Sequence, residues 1–274
     1  MRRCHSEEIK QMIYDMVLSP EQRLTPIDVE RKIAAETGVD RKAVRIAIKG
    51  LIDSGELAYT YFGSSFLERS FHKPLPISKR IVIKPPNKMY IPEERNRDIV
   101  IAINLGVAFG NGRHPSTYLV LRALESLFLD QDYFVGMRSI RVLDVGTGTG
   151  ILAIAAAKLG AHEIIGIDID RLALAEALGN VEVNGLTEQI TITSTPLEEI
   201  KGSFQLIMAN IGYHTLETLC PLLVSRMKKR GLLILSGIKL HEWKVLLKTY
   251  LGYGLTPLQT EAEHSWVCSV LRKK

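Results

Sequence analysis

The chain has 274 residues, 46% of them hydrophobic and 24% charged, and its 35 basic and 30 acidic side chains leave a net charge of +5. At about 150 residues per domain this length suits two domains, and the composition excludes a wholly disordered or collagen-like polymer. The longest apolar stretches, such as residues 151–157, fall far short of the roughly 20 residues that a membrane span needs, and the opening residues lack the apolar stretch of a signal peptide.

Residues 1–78 predict three helices and a hairpin. Ser6 is placed to cap the first helix, with Glu7 and Glu8 favourable in its first turn. Ile9, Ile13, Met16 and Val17 recur on one face. Thr25 followed by Pro26 is a cap and a first-turn proline, and Gly38 stops that second helix. Asp40 caps a third, whose apolar side is Val44, Ile48, Leu51 and Ile52. Gly63-Ser64 then joins two extended runs as a two-residue turn. The order resembles a winged helix. Arg41, Arg45 and Lys49 share another side of the third helix. That side is either a groove-reading face for nucleic acid or an ordinary solvated one. The charge count leans the same way: residues 1–95 hold 17 basic and 13 acidic side chains, and the remainder 18 and 17.

Residues 79–97 predict a strand at 81–83 and then a proline-rich, charged linker. From residue 98 onward short apolar runs (140–144, 163–168, 189–195, 204–210, 231–236) alternate with helical segments (151–159, 173–183, 213–227, 241–250). Such alternation predicts a mostly parallel sheet covered on both faces. Two last extended pieces, 255–259 and 265–271, bring the sheet to seven strands with an antiparallel edge. Cys4, Cys220 and Cys268 form no close pair, which argues against a disulfide framework or zinc ribbon and suits a reducing cytoplasm. No metal site is expected, because the histidines have no ligand spacing and His241-Glu242 lacks the second histidine of H-E-x-x-H.

The chemistry sits after the first strand of that sheet. Asp144-Val145 leads into Gly146-Thr147-Gly148-Thr149-Gly150 and then a helix. Glycines there allow a tight turn and close approach of backbone to a ligand, in the crevice at the carboxyl ends of the strands. The spacing alone admits a dinucleotide. Asp144, however, would set negative charge against a pyrophosphate and instead suits a cationic ligand such as S-adenosylmethionine. Asp168, ending the next strand, is placed to accept from both ribose hydroxyls. Asp170 reads as the cap of the following helix.

Asp144 to Gly150, with Gly166-Ile167-Asp168, resembles the first two motifs of class I methyltransferases. The stretch Ala108-Phe109-Gly110-Asn111-Gly112-Arg113-His114-Pro115-Ser116-Thr117 is similar to the A-F-G-T-G-x-H-P-T-T signature of ribosomal protein L11 methyltransferases. Met208-Ala209-Asn210-Ile211, Leu235-Ser236-Gly237-Ile238 and a late Trp266 extend the resemblance over residues 98–274. It implies a Rossmann-like domain, S-adenosylmethionine as cofactor, and methylation of a protein lysine or α-amine. Carried over by position, it implies cofactor contacts at Thr117, Gly146, Asp168 and Asn210, alongside Asp144, Gly148 and Gly150 of the turn. Phe109 and His114 border the pocket, although His114 also reads as a hydrogen-bonded structural histidine. Asn210 is the candidate for holding the acceptor.

Residues 1–78 do not resemble the recognition domain with which that family grips L11. Asn210-Ile211-Gly212-Tyr213 also keeps only the ends of N-P-P-Y, a motif that serves planar amino groups. Tyr213 therefore either stacks on an acceptor or merely opens a helix. A nucleic-acid methyltransferase and a cofactor-sensing regulator without turnover stand as alternatives. For an amine acceptor the nitrogen must be neutral. Bringing a lysine from about 10.4 to 7 amounts to about 4.6 kcal/mol, towards which burial and a nearby cation both push.

Overall fold

The computed structural model describes residues 6–18, 24–61, 65–70, 73–92, 97–104, 114–130, 133–134, 136–137 and 139–274. Cys4, the Gly63-Ser64 turn and Phe109, with the signature residues up to Arg113, lie outside them. The chain forms two compact units, residues 1–75 and 76–274.

In the first unit, α1 (Ser6–Leu18), α2 (Pro26–Thr37) and α3 (Arg41–Asp53) precede the antiparallel strands β1 (Leu57–Tyr61) and β2 (Ser65–Arg69). Helix α1 starts at Ser6 itself, so Ser6 is its first residue and not its cap. Helix α2 begins as its sequence dictates. The Thr25 side chain accepts from the Asp28 N–H, Asp28 reaches back to the Thr25 N–H, and Pro26 fills the first turn. Gly38 closes the helix at φ +72°. Asp40 caps α3 through the Lys42 N–H. Ile13, Val29, Ile33, Val44 and Ile48 meet in a shared core, each contributing on the order of 1.5–3 kcal/mol of burial.

The basic side of α3 departs from the groove-reading expectation. Glu30 of α2 is buried, and Arg45 grips its carboxylate with two hydrogen bonds at 2.7 and 2.8 Å. Arg41 stands 3.6 Å from the same group. Two of the three cations therefore neutralise a buried acid within the unit instead of forming an open basic stripe, and nucleic-acid binding through Arg41, Arg45 and Lys49 is not supported. Glu30 is held below the usual carboxylate range, first by the Arg45 hydrogen bonds.

The two-residue strand β3 (Leu75–Pro76) marks the passage to the second unit. There β4 (Ile81–Lys84) pairs in parallel with β5 (Ile99–Ala102), a strand the sequence reading leaves unassigned. The proline-rich stretch between them starts with a turn at Pro85–Lys88. Also unassigned in that reading is α4 (Pro115–Glu125), which continues into one π-helical turn at Ser126–Asp130.

The main sheet contains β6 (Arg141–Val145), β7 (Glu163–Ile167), β8 (Ile190–Thr193), β9 (Phe204–Asn210), β10 (Met227–Lys239), β11 (Leu255–Glu263) and β12 (Trp266–Lys273), in the order β11-β12-β10-β9-β6-β7-β8. Strands β6 to β10 pair in parallel, while β11 and β12 form the antiparallel edge. Helices α5 (Ile151–Leu159), α6 (Arg171–Val183), α7 (Tyr213–Arg226) and α8 (Leu240–Gly252) alternate with the strands. Strand order reverses at β6, so β9 and β7 diverge from it on either side. That switch point opens the crevice in which ligands of such sheets bind. No helix among the described residues is long and apolar enough to cross a membrane.

Candidate cofactor and acceptor site

At the carboxyl end of β6 the chain turns through three glycines with positive φ: Gly146 (+73°), Gly148 (+55°) and Gly150 (+78°). They do different work. A Cβ on Gly146 would collide with the Ile211 side chain. A Cβ on Gly150 would press on Ala177 of α6 at 3.3–3.4 Å, so the last glycine serves helix packing. The turn is also wired into its own fold. The N–H groups of Gly146 and Thr147 donate to the Ile167 carbonyl, and that of Gly150 to the Thr147 carbonyl. The Gly148 N–H donates to Asp168 Oδ2 at 2.9 Å. With these donors engaged, the turn is a poor cradle for a pyrophosphate, which binds through free N–H groups at a helix start.

A cavity of about 770 Å³ opens above this turn, and Gly146, Gly148, Asp168, Asn210, His114 and Trp266 all line it. Asp168 sits one residue beyond β7. Each of its oxygens accepts one backbone N–H, from Gly148 and from Asp170 (3.0 Å). A second acceptor position on each oxygen remains for paired hydroxyls. Asp170 does cap α6, through the Leu172 N–H.

Asp144, Thr117 and Gly150 are not among the residues that line the cavity. Asp144 is fully buried, and its Oδ2 accepts from the Thr147 hydroxyl at 2.7 Å. Its Oδ1 has no hydrogen-bond partner among the described residues. Burial pushes its carboxyl up to about 7; the Thr147 hydroxyl and the Ala153 N–H pull it back, and Asp168 adds to the rise. Asp144 thus lies beneath the turn and off the cavity lining. Thr117 is buried on α4, where its hydroxyl lies 3.5 Å from Asn210 Nδ2. Asn210 Oδ1 is buried and has no hydrogen-bond partner among the described residues.

His114 caps α4. Its Nδ1 accepts from the Ser116 N–H at 3.2 Å, and its ring meets Trp266 edge to face, with centroids 4.3 Å apart. Burial first, then the Lys239 charge, push its pKa down to about 4, so it is neutral at physiological pH. His114 is thus a capping, ring-packed histidine that also lines the cavity. Tyr213 opens α7 and its hydroxyl bonds Glu217 at 2.8 Å; it is absent from the cavity wall.

Three contributors were not legible beforehand. Asn180 of α6 is fully buried, donates to the Thr149 carbonyl and accepts from the Asn104 N–H, tying the glycine turn to the segment after β5. Asn184, one helical turn on, holds both backbone groups of Ala102. Two asparagines four apart in an otherwise good helix were the available signal. Gly237 (φ +82°) is the third, because a Cβ there would lie 2.7–3.0 Å from the Ile211 backbone.

A doubly covered sheet with this strand order, a glycine turn after β6 and a carboxylate after β7 define the Rossmann-like fold of class I methyltransferases, a class that takes S-adenosylmethionine. The residues present fit that group: a glycine-lined approach, a two-oxygen acceptor at Asp168 and a carboxamide residue, Asn210, on the cavity lining.

The family model described as ribosomal protein L11 methyltransferase (PrmA) matches residues 67–274, and the chain belongs to that family. A ribosomal protein L11 methyltransferase of Geotalea daltonii is 38% identical over 203 residues, covering 73% of this chain and 64% of its own length. The chain thus spans less than two thirds of that relative. A protein of the same name from Trichlorobacter lovleyi is 36% identical over 254 residues, with 90% of this chain and 79% of the relative covered. A match of that extent reaches into the first unit, which the signature motifs leave out. Among solved structures, a ribosomal protein L11 methylase from Lactobacillus delbrueckii subsp. bulgaricus superposes with a TM-score of 0.64 at 30% identity, over 73% of this chain and 99% of that one.

Proposed function

We propose that this chain transfers a methyl group from S-adenosylmethionine to an amino nitrogen of a protein, a lysine or α-amine of ribosomal protein L11 being the acceptor that its relatives' names point to. The observation that carries the acceptor reading is Asn210. Asn210 lines the cavity, its amide nitrogen lies 3.5 Å from the Thr117 hydroxyl, and its buried oxygen has no hydrogen-bond partner among the described residues. An uncommitted carboxamide oxygen accepts an N–H, which orients an amine's lone pair away from it, toward the reacting carbon.

S-adenosylmethionine, when bound, supplies an electrophilic methyl carbon on a sulfonium. The chain's own residues do the positioning. Asp168 holds paired hydroxyls, Gly146 and Gly148 permit close approach, and the largely apolar walls exclude water. The nitrogen–carbon bond forms as the carbon–sulfur bond breaks, and the amine's surplus proton leaves to solvent. In this reading no dedicated base is needed if the amine arrives neutral.

Purified chain with tritiated cofactor should label recombinant L11, with the label in the protein fraction and none in ribosomal RNA, and Asp168→Ala should abolish it. Label confined to nucleic acid, or cofactor uptake with no label anywhere, would overturn the proposal.

A further inference from the structure

The cavity follows the carboxyl ends of the strands, so strand order lays out its walls. From β12 through β10, β9, β6 and β7 to β8, the lining passes from Trp266 to Gly237, Asn210 and Ile211, Gly146, Asp168 and then residues 194–198. The charged lining residues, Asp168, Asp170 and Glu198, all belong to the β7–β8 side. The β9, β10 and β12 side offers a carboxamide, a glycine and an indole. Ile211 stands where the two sides meet, one residue beyond β9 and beside β6.

Glycines of both flanking strands hold it there. On β10, Gly237 follows Ser236, the register partner of Asn210, where the pairing with β12 shifts between Leu235 and Ile238. A Cβ on Gly237 would lie 2.7 Å from the carbonyl oxygen and 2.8 Å from the nitrogen of Ile211, so only glycine admits that backbone. After β6, a Cβ on Gly146 would collide with Ile211 Cγ2 yet lie 3.9 Å from Ile211 Cβ, an ordinary contact. One methyl group, Cγ2, therefore fills the space that a side chain on Gly146 would take.

We propose that Ile211 is a positioning residue for methyl transfer: seated over Gly146 and backed by Gly237, its side chain divides the acidic half of the cavity, which takes the cofactor, from the uncharged half, which takes the acceptor, and sets their approach. The inference rests on the amine-methylation reading above and adds the residue that spaces its two reactants. A β-branched side chain is stiff at χ1, and with its backbone pinned and Cγ2 packed on a glycine it has little room to swing aside. In-line displacement is sensitive to such spacing, a misplacement of about 1 Å costing about 10²-fold in rate.

Four variants of the full chain test this: Ile211→Val, Ile211→Ala, Gly146→Ala and the Gly146→Ala/Ile211→Ala double. Valine keeps Cγ2, so Ile211→Val should hold kcat with L11 near the wild-type value. Ile211→Ala removes Cγ2 and should lower kcat by about 10²-fold, with S-adenosylhomocysteine affinity little changed. Without acceptor, Gly146→Ala should weaken S-adenosylhomocysteine binding by about 10-fold more in the wild-type background than beside Ile211→Ala. The strain of the positive φ at Gly146 is common to both backgrounds and cancels in that comparison. Should Gly146→Ala not fold, recovery of folding in the double variant is the same rescue. Additive effects of the two substitutions, a wild-type kcat in Ile211→Ala, or S-adenosylhomocysteine affinity lost as steeply as kcat overturns the role of Ile211 alone. No methylation of L11 by the unaltered chain overturns the underlying reading and the inference with it.

Discussion

Asp144→Asn separates a buried charge from a buried shape. The carboxyl is fully buried and its titration is raised from 3.8 to about 7, chiefly by burial. Because the folded form holds the proton more tightly than the unfolded form, stability is greatest below the unfolded pKa and falls as pH rises toward 7, then levels off. Three pH units correspond to about 4 kcal/mol at the alkaline limit, and about 3 kcal/mol of this develops between pH 5 and 8. Asparagine keeps the shape and an acceptor for the Thr147 hydroxyl, but does not titrate. Urea unfolding of both proteins without cofactor, followed by tryptophan fluorescence, is the assay. Trp243 and Trp266, the two tryptophans, both report on the second unit. The difference in stability between wild type and variant should change by about 3 kcal/mol from pH 5 to pH 8, to the disadvantage of the wild type. Parallel pH dependences would refute the burial argument.

Gly237→Ala should destabilise the second unit by more than about 2 kcal/mol, since its Cβ meets Ile211 backbone and its φ is positive. Gly179→Ala in α6, with open space around it and no positive φ, should stabilise by about 0.5–1 kcal/mol; thermal melts check both. Arg45→Ala should cost the first unit about 1–3 kcal/mol by leaving Glu30 buried with only the more distant Arg41, read from chemical unfolding followed by circular dichroism. Asn210→Ala should lower kcat/KM for L11 by about 10²-fold while S-adenosylhomocysteine binding falls far less; equal losses in both would show that the carboxamide serves the cofactor alone.

Much of the second unit was readable because its signals are local. Strands β6, β7 and β9 are short apolar runs with the right length, and the turn from Gly146 to Gly150 announces itself through residues that tolerate positive φ. Seven strands with an antiparallel edge follow from the same periodicity. Helix α4 escaped because its start is set by a histidine cap, His114, not by the usual Ser, Thr or Asp. The basic side of α3 misled for a different reason. Spacing places Arg41 and Arg45 on one side of a helix, but only tertiary packing brings the buried Glu30 of α2 against them. Asp144 shows the same limit within the site. Its position two residues before Gly146 marks it as important, whereas its full burial, and hence its raised pKa, depends on what Thr147 and α5 place over it. Trp266 and Lys239 lie 27 residues apart in sequence, and only the pairing of β10 with β12 seats one on the other.

Calorimetry of S-adenosylmethionine and S-adenosylhomocysteine on the pure chain reaches the centre of the account most directly. Uptake of one equivalent of either ligand, lost in Asp168→Ala without loss of folding, is the predicted result. Absence of heat with both, alongside measurable binding of NAD, would contradict it.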